Sequence, residues 1–283
     1  MKISFLLFVL GILVFLNIFI WQEVFDWLFN PYLKVIFFNV GQGDAIFIVS
    51  PQKHQILIDG GPNSIILEKL AKEMPFWDRS IDLIILTHPE HDHIAGLLEV
   101  LKRYKVENIL WTGVIRDTAE YKEWLRLIKR ENSELRIAKA EQKIKAREVH
   151  FDILNPFENL SGRKIKNVNN TSVIAKLVFD KKSFLFSGDA YKSVERKLIA
   201  RGLALDSDVL KVGHHGSKTS SAEEFIEKVL PEIAVISAGK NNRYGHPHQQ
   251  TLDTLEKYGV ETLRTDINGD IKIISDGKNI RIQ

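Results

Sequence analysis

The sequence predicts an α/β domain of two packed β-sheets with helices on the outside, preceded by one transmembrane helix. Three observations carry that expectation. An uncharged apolar run from Ile3 to Ile20 opens the chain. From Lys34 onward, short β-rich runs alternate with amphipathic stretches, and strands outnumber helices in both halves. That pattern favours two sheets with outer helices over a single doubly wound sheet. Finally, clusters of His, Asp and Glu fall immediately after the expected strands, where loops converge at a sheet edge.

The N-terminal run is interrupted only by Ser4, Gly11 and Asn17. Its length, about 27 Å as a helix, is close to the thickness of a bilayer's hydrocarbon core. Trp21 and Trp27 follow at the place of interfacial aromatics. A cleaved signal peptide has a shorter apolar region and a small-residue cleavage site, yet no Ala precedes Ala45. A buried core helix carries a polar face, which this run lacks. The expected organisation is a membrane anchor at 1–21, a juxtamembrane linker at 22–33 and one domain at 34–283. Lys2 before the span, with Glu23 and Asp26 after it, places that domain on the extracytoplasmic side by the positive-inside rule.

With 283 residues, 45% of them hydrophobic, the chain can bury one large core. Basic residues are densest between Lys102 and Arg147 and are interleaved with acidic ones. Solvated helix faces explain them better than a phosphate-attracting groove. There are no cysteines, so disulfides and thiolate metal sites are excluded, and a metal must be held by His, Asp and Glu.

Val35–Asn39, Asp44–Val49 and Gln55–Asp59 read as strands, with Gly41-Gln42-Gly43 turning between the first two. Ile65–Met74 has helical spacing, and Leu83–Thr87 is a run suited to a strand buried on both faces. Helices are expected at Ile94–Lys105 and Ala119–Glu131, around a strand at Asn108–Thr112. In the second half, Ser172–Phe179 and Lys182–Ser187 form a hairpin. A helix follows at Ser193–Arg201, then strands at Val209–Val212 and Ile233–Ser237. Gln249–Lys257 is helical, and strands near Asp270–Ser275 and Lys278–Arg281 close the chain.

Directly after Leu83–Thr87 comes His88-Pro89-Glu90-His91-Asp92-His93, five potential ligands within six residues. Imidazole together with carboxylate suits Zn²⁺, Mn²⁺ or Fe. A loop leading into a helix at Ile94 could point several of them inward. A solvated loop that happens to be rich in histidine is the competing reading, weakened by the number of ligands and by their position. Asp189 ends the strand at Phe186, and His214 and His215 follow Val212-Gly213. His246 and His248 follow the strand at Ile233–Ser237. Alone, Asp189 suits a helix N-cap, and His246 or His248 suits a surface histidine. Seven of the nine histidines lie in these clusters, however, leaving only His54 and His150 outside.

Thr87-His88-x-Glu90-x-Asp92-His93 resembles the His-x-His-x-Asp-His signature of the metallo-β-lactamase superfamily, with Glu90 in place of the second histidine. The resemblance narrows to the lactamase-like domain of the ComEC family of DNA-uptake competence proteins, which similarly has a carboxylate there. That domain shares Val40-Gly41-Gln42-Gly43-Asp44, Leu57-Ile58-Asp59-Gly60-Gly61 and Asn169-Asn170-Thr171-Ser172. It also shares Ser187-Gly188-Asp189-Ala190, His214-His215-Gly216-Ser217 and Tyr244-Gly245-His246-Pro247-His248. The resemblance covers residues 34–283 and implies an αββα sandwich, the metallo-β-lactamase fold, with two divalent metals, Zn²⁺ or Mn²⁺. It implies that His88 and Glu90 hold one metal, Asp92 and His93 the other, that Asp189 bridges them, and that His246 is a late ligand. Asn169 or Asn170 stands where many members have a further histidine. The first site is then short of nitrogen unless His214 or His215 supplies it. Which of that pair is a ligand stays open, as does the choice between His246 and His248. Glu90 makes the first site harder, which favours Mn²⁺ alongside Zn²⁺.

The expected function is therefore that of a membrane-anchored phosphodiesterase or nuclease acting on DNA outside the cytoplasm. Two metals about 3.5–4 Å apart lower the pKa of a water between them and clamp both oxygens of an in-line displacement. Asp92 and Asp189 would act as catalytic residues that orient the water. Ser217 and Lys218, with Lys240, Asn241 and Arg243, flank the histidine clusters as candidate phosphate contacts, although loop solubility explains them equally well. One span stands where full ComEC proteins have a polytopic channel, so a separate DNA-channel protein is an expected partner. Phosphorylcholine esterases resemble the domain around His214-His215, so a hydrolase of small or surface-attached phosphodiesters is an alternative. A non-catalytic DNA-binding component of an uptake apparatus is another. Glu90 and the missing histidine argue against a β-lactamase.

Overall fold

The computed structural model describes residues 2–28 and 31–283. Helix α1 (Lys2–Leu28) leads into strands β1 (Leu33–Phe37), β2 (Ile46–Val49) and β3 (Gln55–Ile58). Next come α2 (Ile65–Glu73), β4 (Ser80–Ile85), α3 (His91–Leu101), β5 (Lys105–Trp111), α4 (Ala119–Glu131) and β6 (Glu134–Ile137). The second half contains β7 (Lys143–Ala146), β8 (Val149–Asn155), β9 (Ile174–Phe179), β10 (Lys182–Phe186) and α5 (Lys192–Ala200). It continues with β11 (Val209–Lys211), α6 (Glu223–Val229), β12 (Ile233–Ile236), α7 (Gln249–Lys257) and β13 (Glu261–Arg264). Helix α8 (Thr265–Asn268) and strands β14 (Ile271–Ser275) and β15 (Ile280–Ile282) end the chain.

Two sheets result, ordered β15-β14-β1-β2-β3-β4-β5-β6 and β13-β12-β11-β10-β9-β8-β7. The period-two alternation of the strands explains their stacking. Val35, Phe37, Ile46, Ile48 and Ile58 face Phe151, Leu177, Phe184 and Phe186 between the sheets. The alternate residues Ile36, Phe47, Leu57 and Ile84 pack with buried residues of α2, α3 and α4. Leu185, Leu210, Ala234 and Ile236 pack with those of α5, α6 and α7. Each large side chain removed from water contributes roughly 1.5–3 kcal/mol, and this gain on both faces of each sheet holds the four αββα layers together.

Strands β3 to β6 run parallel to one another, as do β10 to β13. Their carboxyl ends meet where the Thr87 carbonyl accepts from Val173 N–H at 2.9 Å and the Gly188 carbonyl from His214 N–H at 3.1 Å.

Two expectations need correction. Helix α3 begins at His91, not at Ile94, so Asp92 and His93 occupy its first turn and not a loop. Strands β6, β7, β8 and β13 and helices α6 and α8 are not expected from the sequence. β6 and β7 alternate polar residues at exposed edges, and α6 and α8 are short. At the N-terminus, the helix continues through Leu28, so the stretch read as a linker is helical over residues 22–28. Its residues 29 and 30, and the side chains of Glu23, Asp26 and Trp27, lie outside the described residues. Within α1 the stretch Phe5–Gln22 is unburied and is long and apolar enough to cross a membrane.

Candidate metal centre

The site is assembled at the carboxyl ends of β3, β4, β10 and β11. Past β3, the Asp59 carboxylate collects three donors. Oδ1 accepts from Thr87 N–H at 2.8 Å; Oδ2 accepts from the Thr87 hydroxyl at 2.6 Å and lies 2.8 Å from His93 Nδ1. The geometry that permits this is a direct backbone contact between α3 and the turn after β3. A Cβ on Gly96 would lie 1.8 Å from the Gly60 carbonyl oxygen, and one on Gly60 would lie 2.4 Å from Leu97 N. Only glycine fits at either place. With its Nδ1 proton committed to Asp59, His93 presents the Nε2 lone pair outward.

Three other imidazoles are held the same way. His88 Nδ1 lies 3.0 Å from Thr87 Oγ1 and 3.4 Å from Ser172 Oγ. His215 Nδ1 lies 3.0 Å from the Ser237 carbonyl oxygen. His214 Nδ1 lies 2.9 Å from Thr219 Oγ1. Both His214 and His215 adopt the left-handed region, with φ of 49° and 55°. Each such residue costs roughly 1–2 kcal/mol, and the tight turn they make brings both rings to Asp189. The four Nε2 atoms lie 3.5 Å (His93), 3.5 Å (His215), 3.8 Å (His214) and 3.9 Å (His88) from Asp189 Oδ2. Asp92 Oδ2 stands beside them, 3.2 Å from His215 Nε2 and 3.9 Å from His93 Nε2.

Charge explains the proton affinities. Burial and the neighbouring His93 push His88 down to about 3. Burial works against a charged His215, but Asp189, Asp44 and Asp92 raise it to about 10. His93 is likewise held well above the usual imidazole value against its burial, by Asp189, Asp59 and Asp92. Burial opposes ionisation of Asp189, yet His215, His93 and His88 keep it well below the usual carboxylate range. A cluster of carboxylates this deeply placed requires positive charge.

The residues fit a divalent cation. His88 Nε2, His93 Nε2 and Asp189 Oδ1 are buried without a hydrogen-bond partner, which leaves all three available to a cation. Asp92, His93, Asp189 and His215 offer ligand atoms that all lie within 4.8 Å of one another. His88 and His214 flank Asp189 on a second side. Asn169 Nδ2 lies 3.4 Å from His214 Nε2, so this asparagine and this histidine converge on one place. A second close group, Asp44, Asp59 and His93, supports the first. Asp44 is bound to the buried Lys211 at 2.7 Å and lies 3.3 Å from His215 Nδ1, and Asp59 has its three donors.

The remaining candidates lie further out. The Glu90 carboxylate accepts from Arg116 at 2.7 Å and is 34% exposed, at the N-cap of α3. His246 turns Nδ1 toward Gln42 Nε2 at 3.4 Å, and its ring centre is 5.4 Å from that of His214. His248 Nδ1 accepts from Lys218 N–H at 3.3 Å. His91 points into solvent beside Glu120. Of the residues expected to hold phosphates, Ser217 is buried, with its hydroxyl accepting from Thr219 N–H and the Thr219 hydroxyl. Lys218, Lys240, Asn241 and Arg243 are exposed. Arg243 lines an open cleft of about 730 Å³ together with Gln42, Asn63, Glu90, Asp92 and Tyr244, which gives solvent a path to Asp92. In the sequence Asp44, Asp59 and Thr87 stand only as members of shared motifs; their positioning roles come from the structure.

Comparison with known proteins identifies the family. The metallo-beta-lactamase superfamily model matches residues 38–240. "ComE operon protein 3" of Bacillus subtilis is 34% identical over 257 residues, covering 84% of this chain and 32% of that protein. "Competence protein ComA" of Neisseria gonorrhoeae is 30% identical over 240 residues, with the same 84% and 32% coverage. The chain therefore spans about a third of the length of these curated relatives. Among solved structures, the metallo-beta-lactamase fold protein YhfI from Bacillus subtilis superposes with a TM-score of 0.57 at 13% identity, covering 89% of this chain and 100% of that one. With the family model matching residues 38–240, this chain belongs to the metallo-β-lactamase superfamily.

Proposed function

We propose that the chain is a membrane-anchored, dinuclear metal-dependent phosphodiesterase that cleaves DNA in an uptake context, with its domain on the extracytoplasmic side. The observation that carries the reading is the set of four Nε2 atoms turned on one buried carboxylate oxygen, with Asp92 beside them on the cleft side. Asp92, His93, Asp189 and His215 would hold one cation. His88, His214 and Asp189, with Glu90 if it leaves Arg116, would hold the other. Imidazole and carboxylate donors of this kind suit Zn²⁺ and Mn²⁺. Cations bound there supply Lewis acidity and a nucleophile at neutral pH. Asp189 and Asp92 fix the position of the reacting water by their carboxylate oxygens, and Asp59 and the Ser237 carbonyl hold the rings of His93 and His215 in register. Arg243 at the cleft wall supplies positive charge to an incoming phosphodiester. The competence relatives favour DNA as the polymer.

The test is to incubate the full chain, in detergent and loaded with Mn²⁺ or Zn²⁺, with end-labelled single- and double-stranded DNA, bis-nitrophenyl phosphate and a phosphocholine ester. Cleavage of DNA that is lost in Asp92→Asn and Asp189→Asn supports the reading. Turnover confined to the small esters replaces it with a small-phosphodiester hydrolase. DNA binding without cleavage by metal-loaded protein replaces it with a binding component.

A further inference from the structure

The outer face of the first sheet carries a basic cavity that the metal centre does not use. Register places Gln55, Val49, Lys34, Ile274 and Arg281 in one row across β3, β2, β1, β14 and β15. The next row on that face holds Phe47, Ile36 and Lys272. Lys53, from the turn between β2 and β3, joins Lys34, Lys272 and Arg281 around a cavity of about 680 Å³. One acid lines it: Glu73, 3.4 Å from Lys34 and 3.0 Å from Lys272. Among the described residues, four cationic side chains and one acidic side chain line the cavity. Burial, and then the neighbouring Lys34, hold the Lys53 amine below its usual range.

Beside this cavity, a loop exposes two aromatic side chains. Met74 and Pro75 line the cavity, and Asp78 accepts from Gln55 on its wall at 2.5 Å. Between them, at the tip of the loop, Phe76 and Trp77 are 81% and 69% exposed and pack edge to face with ring centres 4.8 Å apart. Such a pair has no folding role in water. At the boundary of a bilayer it is the usual anchor, and a cluster of Lys and Arg beside it is attracted by lipid phosphates. Tyr32, under the Arg281 guanidinium at 5.0 Å, lines the same cavity. It follows Leu28, the last residue of α1, by four positions, which is at most about 14 Å of chain.

We propose that this face is a second membrane contact, in which Phe76 and Trp77 enter the interface while Lys34, Lys53, Lys272 and Arg281 receive the phosphates of anionic lipids. The proposal rests on α1 spanning the bilayer. A single helix would leave the domain free to swing, and a second contact sets the height and direction of the metal centre's cleft. Tethering makes a weak contact sufficient, because the surface is always at high local concentration.

The chain has no cysteine, so a nitroxide at Trp77→Cys reports one place, and one at Leu230→Cys, exposed after α6, serves as the aqueous control. Full-length protein is reconstituted in phosphatidylcholine vesicles with and without phosphatidylglycerol, and the collision of each label with oxygen and with a water-soluble nickel chelate is measured. In anionic vesicles the label at 77 should shift at least threefold toward oxygen, and Lys53→Gln with Arg281→Gln should remove most of that shift. The label at 230 should stay aqueous. A label at 77 as water-accessible as that at 230 overturns the proposal. So does protection at 77 conferred by single-stranded DNA and not by lipid, which would make the face a nucleic-acid surface. Carbonate extraction reads α1 separately. Resistance to extraction with an aqueous label at 77 overturns the docking face alone, whereas extraction of the chain overturns the membrane anchor and the docking face with it.

Discussion

Asp59→Asn isolates the support beneath the metal site, because it keeps the shape of the side chain and changes only what it can accept. In the native protein every donor near Asp59 points at a carboxylate oxygen: Thr87 N–H at Oδ1, and the Thr87 hydroxyl and His93 Nδ1 at Oδ2. An asparagine has one acceptor oxygen. Oriented toward His93 and the hydroxyl, it sets its amide against Thr87 N–H. Oriented the other way, its amide meets Nδ1 of His93. That pairing is satisfied only when the ring proton moves to Nε2, which removes the lone pair from the metal. Loss of an outer partner of this kind typically costs 10–100-fold in metal affinity, or about 1.4–2.7 kcal/mol. Competition titration with a chromophoric chelator reads the difference directly. Wild-type affinity in Asp59→Asn, within a factor of two, would refute the claim that Asp59 sets the His93 tautomer.

Three further outcomes follow from the same geometry. At free metal 100 times its Kd, the wild type should gain about 2.7 kcal/mol of unfolding free energy, and Asp189→Asn, lacking the shared carboxylate, should gain none in a chemical denaturation series. Glu90→Gln should bind one metal per chain where the wild type binds two, counted by elemental analysis after dialysis; two metals in the variant would remove Glu90 from the ligand set. Glu195 is buried, and its carboxyl is pushed up to about 7 because burial outweighs the Ser221 and Ala222 N–H groups it accepts from. The unfolded carboxyl ionises near 4.5. The folded state therefore keeps a proton that the unfolded state loses, and stability falls as pH rises from about 4.5 to about 7, by at most about 3 kcal/mol. Glu195→Gln should flatten that slope in urea titrations, and an unchanged slope assigns the pH dependence elsewhere.

The fold and the metal centre were legible in the sequence to different depths. Strand runs such as Ile56–Ile58 and Leu83–Ile85 are buried on both faces, so their apolar continuity announces them. Edge strands such as Glu134–Ile137 and Lys143–Ala146 alternate polar residues in water and look like loops. The ligand clusters stand out because strand ends concentrate them. The resemblance already left His91 out of the ligand set; its exposure and the burial of His88 and His93 follow from α3 starting at His91. The role of Asp59, though not its motif, was hidden for a different reason: its partners Thr87 and His93 are 28 and 34 residues away, and no local pattern marks a hydrogen bond of that span. The same holds for Asp44 with Lys211 and His215. Ser217 shows the opposite failure, a polar residue beside ligands whose hydroxyl is spent inside its own turn.

Anomalous diffraction from crystals of the full chain soaked with Mn²⁺ tests the metal assignment most directly. The expected result is one peak bounded by Asp92, His93, Asp189 and His215, and a second toward His88 and His214, both lost in Asp189→Asn. Absence of a peak beside Asp189 at saturating Mn²⁺, or a peak only at the exposed acidic side chains, would contradict it.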